Sequence, residues 1–394
     1  MTGEPEKIAF IRARMPATTR YAYFNTGTSG PLSLAATEAI RAQVEREFTE
    51  GRIERTSAMA AMQARENARQ AVAGLIGCTP EEIALTHHTT EGMNIVTWGI
   101  DWQPGDEAVT TNIEHAGGLL PLYAVRKARG VTVRFVDLHY GDVDAVAALE
   151  KMLTPRTRLI SLSHVSYATG AVLPLAEIVT MAHRHGVPVL VDGAQSVGAI
   201  PVDVKDIGVD YYSLSGQKWL CGPEGTGALY VRFDKLDTVR QTFVGYSSFA
   251  GRREEDDATE EMIPHPAAKR FEVGTRHAPD FAGQAAAIGW LREEVGTGWA
   301  FARIRSLAER ARERLSAVDG VEVLTPGTPA GLICFTVDGV DAKDLVIRLA
   351  ERKFVIRSIR DPYCARVSTG YFNTEDEVDR LAEAVADIRR EKRA

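Results

Sequence analysis

Cysteine is scarce in this chain. Its 394 residues contain four, Cys78, Cys221, Cys334 and Cys364, and these form no CxxC pair and no disulfide-scaffold pattern, so reduced thiols are expected. Long apolar runs are missing as well. No segment approaches about 20 consecutive apolar residues, and MTGEPEKIAFIRARMP lacks the continuous apolar stretch of a signal peptide, so a cytoplasmic protein without a membrane partner is expected. Positive charge is not in excess. Lys and Arg number 46 against 53 Asp and Glu, a formal net charge of -7, and with no long basic cluster the chain is not expected to bind nucleic acid. A GxGxxG after the early strands is also lacking, and GPEGTG precedes a strand, not a helix; both disfavour a nicotinamide dehydrogenase.

The rest of the composition suits a large soluble core. With 45% hydrophobic and 25% charged residues, the length suggests two domains or more. Short β-rich runs occur at EIALTH, EAVTTN, VTVRFVDL, RLISLSHV, VPVLVD, DYYSLS and GALYV, and stretches with helical periodicity such as GLLPLYAVRKARG and PLAEIVTMAHRHG fall between several of them. The alternation predicts an α/β fold around a mostly parallel sheet. The polar segment 251–269 reads as an exposed mobile loop. Beyond it, helical and strand-like stretches predict a smaller α+β domain. The expected division is an N-terminal arm over 1–20, a large domain over 21–265 and a small domain over 266–394.

In an open α/β sheet, ligands sit beyond the carboxyl ends of the strands. Thr89 and Thr90 follow EIAL where a helix begins, with free N–H groups and a positive dipole end suited to phosphate. VPVLVD ends in Asp192, with Gln195 just after it. DYYSLS leads into Ser215, Gln217 and Lys218, while His115 and Tyr167 occupy equivalent strand ends. Singly, such residues are more often helix caps. Together, a phosphate-seeking helix start, a carboxylate and a lysine describe what pyridoxal phosphate requires. The carboxylate keeps the pyridine nitrogen protonated, and the lysine holds the aldehyde as a Schiff base. His183 and His185 diverge on a helix, and His87 and His88 lack accompanying ligands, so no metal is expected.

The block VDGAQSVGAIPVDVKDIGVDYYSLSGQKWLCGPEGTGALYV resembles that of the class V aminotransferase-fold enzymes, a fold-type I pyridoxal-phosphate group that includes the cysteine desulfurases. THHTTEGMNIV, IEHAGGLLP, SHVSYATGAVLPL, RFEVGTRHAP and GYFNTEDEVDRL extend the likeness in order over nearly the whole chain. The resemblance implies a seven-stranded, mostly parallel sheet between helices. It makes Lys218 the Schiff-base lysine, Asp192 the partner of the pyridine nitrogen, Gln195 the neighbour of the phenolic oxygen and His115 the residue stacked on the ring. Thr89, Thr90, Ser215 and Gln217 are expected at the phosphate, the last where relatives usually carry histidine. Thr275 is expected to reach the cofactor of a neighbouring subunit, implying a homodimer with shared active sites.

Arg366 and Arg357 match the arginines that bind an amino-acid substrate's carboxylate, a task suited to a planar guanidinium. Asn25 and Thr28 are expected to border the substrate. In the desulfurases a longer segment between the two arginines carries a cysteine that accepts sulfur as a persulfide. Here only SIRDPYCA separates them, leaving Cys364 little loop on which to swing. That shortening, with Tyr167 where desulfurases usually have asparagine, is similar to the cystine C–S lyases of the same group. The expected reaction is therefore β-elimination to pyruvate and ammonia. A desulfurase using Cys364, an epimerase similar to isopenicillin N epimerase and a non-catalytic cofactor carrier are the alternatives.

Overall fold

A computed structural model describes residues 3–141, 143–250 and 263–393. Most of the expected loop 251–269 thus lies outside the described residues. The strands in chain order are β1 (Ala22–Tyr23), β2 (Ile83–Thr86), β3 (Glu107–Thr111), β4 (Thr132–Val136), β5 (Thr157–Ser163), β6 (Val189–Asp192), β7 (Tyr211–Ser215), β8 (Gly227–Val231), β9 (Val321–Val323), β10 (Leu332–Val337), β11 (Phe354–Val355), β12 (Arg357–Arg360) and β13 (Tyr363–Ser368).

The central sheet has seven strands in the order β2-β8-β7-β6-β5-β3-β4. Strands β7, β6, β5, β3 and β4 are parallel, and only β8 runs against its neighbours, β2 and β7. Every residue of β2, β3, β6, β7 and β8 is buried. That is the signature of a sheet covered on both faces. Edge strand β4 departs from it, with only Val136 buried.

One face packs on a core that includes Val72, Ile76, Ile178 and Trp290; the other packs on Met93, Val96, Leu122 and Val125. The periodicity that marked helices at 116–129 and 175–184 therefore records burial against opposite faces. A second sheet, antiparallel and ordered β12-β13-β10-β9, has its own core with the helices Thr297–Ser316, Ala342–Glu351 and Glu375–Arg393.

Two segments cross the division expected from sequence. Strand β1 pairs in parallel with β11, tying the segment before the large sheet to the C-terminal part. The helix Ala278–Gly289 lies beyond position 265 yet packs against the helices Leu34–Glu50 and Arg55–Ile76. Its side chains are nearly all small or apolar, so it fills a narrow space between those helices. Among the described residues, no helix is long and apolar enough to cross a membrane.

Candidate active site

Because β2, β3, β5, β6 and β7 point the same way, their carboxyl ends bring distant sequence segments to one edge. A cavity of about 220 Å³ opens there. It is lined by Thr28, Thr89, Thr90, His115, Tyr167, Asp192, Gln195, Ser215, Gln217, Lys218, Arg357 and Arg366. The large sheet supplies most of them, and β12 and β13 supply the two arginines. Asn25 and Thr275, also expected near the site, do not line it.

Local chemistry explains the positions. His88 caps the helix Thr89–Gly99, its Nδ1 accepting from the Glu91 N–H at 3.1 Å, so the helix start faces the cavity. His115 caps the helix Ala116–Arg129 in the same way, accepting from the Gly117 N–H at 3.0 Å. Nδ1 is thus the acceptor, which puts the neutral ring's proton on Nε2. Gly117 permits this approach, since a Cβ there would lie 2.4 Å from the Thr90 hydroxyl. Asp192 ends β6, and its Oδ1 accepts from the Ala194 N–H at 3.0 Å. Gln195 is held at both ends, receiving Trp219 Nε1–H at 2.9 Å and donating to the Gly27 carbonyl at 2.8 Å.

Lys218 follows a turn in which the Gly216 N–H bonds Thr226 and the Gly222 N–H bonds Gly216. Its side chain lines the cavity and is half-buried. The low polarity around it pushes the ammonium down to about 8; Arg366 and Arg357 add to the effect, while Asp192 opposes it. The surrounding protein and Lys218 likewise hold His115 below the usual imidazole range, again with Asp192 in opposition. The Arg366 guanidinium is completely buried, and burial brings it down to about 10. It donates to the Tyr167 carbonyl at 2.8 Å and the Thr28 hydroxyl at 3.3 Å, and among the described residues its Nε has no partner. Arg357 donates to the same hydroxyl at 3.0 Å. Thr28 in turn donates to Asn25 Oδ1 at 2.6 Å, so Asn25 acts on the cavity through Thr28.

The residues fit pyridoxal phosphate. Among the described residues, the buried hydroxyls Thr89 Oγ1 and Ser215 Oγ have no hydrogen-bond partner, a costly state that an anion accepting from them would relieve. Both line the cavity with the start of the helix Thr89–Gly99, where an anion is favoured, and Asp192 and Lys218 line the same cavity. Thr275 is exposed elsewhere and bonds the Tyr246 hydroxyl. His164, at the end of β5, turns from the site to the Tyr212 hydroxyl at 2.9 Å. Sequence reasoning missed His88 as a lining residue and Trp219 as the clamp on Gln195. Their only sequence signal is their place beside Thr89 and Lys218.

Cys364 is buried in β13 with Cys334, Ile359 and Ala168, and Tyr167 packs against the cluster. The hairpin joining β12 to β13 contains only Asp361 and Pro362 between the paired residues Arg360 and Tyr363. The thiol therefore sits in a sheet, not on a loop.

A family model for class V aminotransferases matches residues 22–381. A cysteine desulfurase of Haloferax volcanii is 36% identical over 81% of this chain and 78% of its own. A solved structure of the cystine C–S lyase C-DES, in complex with its reaction product cysteine persulfide, superimposes with a TM-score of 0.90 at 35% identity, covering 95% of this chain and 99% of that one. A lysine-to-alanine mutant of C-DES, with glycine covalently linked to its pyridoxal-phosphate cofactor, matches with the same TM-score, identity and coverage. The chain belongs to the class V aminotransferase family, as a pyridoxal-phosphate-dependent enzyme of its cysteine desulfurase and C–S lyase group.

Proposed function

We propose that the protein is a C–S lyase acting by β-elimination on cystine or a related cysteine-derived amino acid, releasing pyruvate, ammonia and a persulfide or thiol. The observation that carries this reading is Cys364, buried in β13 beside a hairpin with no free loop. A thiol that accepts sulfur has to travel to the substrate, and this one is fixed by sheet pairing and packing.

Bound pyridoxal phosphate supplies an electron sink for charge that develops on the substrate α-carbon. Thr89, Thr90, Ser215 and Gln217 hold its phosphate, Asp192 keeps a proton on its ring nitrogen, Gln195 faces its phenolic oxygen and His115 covers the ring. Arg366 and Arg357 take the substrate carboxylate, replacing the Thr28 hydroxyl that both guanidiniums now contact. Lys218 would anchor the cofactor, and its Nζ would take the substrate's α-proton; its lowered affinity for protons suits that role. Tyr167, edge-on to His115 at 4.7 Å between ring centroids, shapes the space for the substrate's sulfur side.

Thr275 is proposed to reach the phosphate site of a second subunit. Exposed Phe243 and Tyr246, beside a groove that includes Trp98, Phe271 and Val273, support a homodimer on that face.

Purified enzyme supplied with cysteine, cystine and bulkier cysteine conjugates tests the reaction. Pyruvate formed fastest from cystine is the expected result; alanine from cysteine as the main product would overturn it. The desulfurase alternative is kept because curated relatives carry that name.

A further inference from the structure

Glu114 is a buried acid without a role in the mechanism above. It follows β3 and directly precedes His115, and only 7% of it is exposed. Both carboxylate oxygens are occupied. Thr111 Oγ, from the last residue of β3, donates to Oε1 at 2.6 Å, and Ser163 Oγ, from the last residue of β5, donates to Oε2 at 2.5 Å. Ser163 stands opposite Asp192 in the pairing of β5 with β6. The acid therefore ties together two strand ends, with the proposed ring-nitrogen carboxylate on one side and the proposed ring-stacking histidine on the other.

Asp192, at the end of β6, is the charged group that acts on Glu114. His115 is next in the chain and faces Lys218, Arg357 and Arg366 across the cavity. His164 follows Ser163 but is engaged with Tyr212. Burial raises the Glu114 carboxyl to about 7; the two hydroxyls pull it down, and Asp192 pushes it up. Two carboxylates of like sign close together in a dry site discourage each other's ionisation.

We propose that Glu114 is a positioning residue: through Thr111 and Ser163 it fixes Asp192 and His115 against the cofactor ring, and on ionising it adds a second negative charge behind Asp192. That second charge strengthens the hold on a protonated ring nitrogen, so cofactor binding tightens as Glu114 loses its proton. The proposal rests on the assignment of Asp192 to that nitrogen.

The test uses Glu114→Gln, which keeps shape and removes charge. In the apoprotein, a carboxyl raised from 4.5 to about 7 favours the folded state fully below the lower value. The advantage is lost as pH rises through the higher one. Wild type should therefore lose folding equilibrium relative to the variant by on the order of 10²-fold across that window; parallel pH profiles of melting would overturn the proposal. In the holoenzyme, the cofactor dissociation constant of wild type should fall by roughly threefold to tenfold relative to the variant between about pH 6 and pH 8, with a matching component in the cofactor's absorbance titration. A purely structural role would shift both pH values equally.

Asp192→Asn separates the two readings. Unchanged cofactor affinity and spectrum in that variant would remove the Asp192 assignment, and the Glu114 proposal with it. Disruption by Asp192→Asn alongside a wild-type pH dependence in Glu114→Gln would overturn the Glu114 proposal alone. Should Glu114→Gln fail to fold, Ser163→Ala carries the test. Loss of one donor should move the absorbance component to higher pH, and an unmoved component counts against the role.

Discussion

Single side chains decide the chemistry here through what surrounds them. The amine of Lys218 is useful because its position brings it down to about 8, so a sizeable neutral fraction exists near neutrality. Cofactor attachment to the apoprotein should therefore slow about tenfold for each pH unit below that value and level off above it, as stopped-flow absorbance would show. Lys218→Ala should lower turnover by at least about 10²-fold to 10⁴-fold. Arg366 makes a different demand. Among the described residues its buried guanidinium donates to a carbonyl and a hydroxyl and meets no carboxylate, so a substrate carboxylate would supply a full counter-charge. Arg366→Lys keeps charge but loses the planar fork. It should lower kcat/KM by roughly tenfold to a hundredfold, mainly through KM; steady-state kinetics with an unchanged KM would count against carboxylate binding there.

At the scale of elements, the strap 25–30 and the hairpin of β12 and β13 set the shape of the cavity. The Gly30 N–H donates to the Gln217 carbonyl at 2.6 Å, and a Cβ at Gly30 would lie 2.2 Å from the Lys218 carbonyl. Gly30→Ala should therefore cost about 1–3 kcal/mol of stability and weaken cofactor binding, measured by thermal melting and cofactor titration. Normal values in both would show that the strap does not constrain the lysine turn. The sheet itself was legible in the sequence because its strands are short β-rich runs separated by stretches of helical periodicity. The crossing elements were not. β1 is too short to carry a period, and the helix Ala278–Gly289 has small residues whose partners lie far away in the chain. The lysine block could be read from local motifs, and both arginines only through the family resemblance. The clamp of Trp219 on Gln195 and the shared Thr28 hydroxyl are products of tertiary packing that no spacing rule records.

For the whole molecule, the proposed dimer and the proposed reaction are linked by Thr275. It is exposed in this chain and does not line the cavity, so its suggested role is toward a second copy. Phe243→Asp, at a side chain 77% exposed, should shift sedimentation toward monomer and weaken cofactor binding together. A monomer with full cofactor affinity would contradict shared sites. The central claim is that sulfur leaves with the product and never resides on the enzyme. Its most direct test compares wild type with Cys364→Ala on cystine and on cysteine, measuring pyruvate, alanine and intact protein mass in each reaction. Equal pyruvate from both proteins and no added sulfur on wild type are expected. Alanine formed by wild type and lost in the variant, with an extra sulfur on Cys364, would contradict the claim.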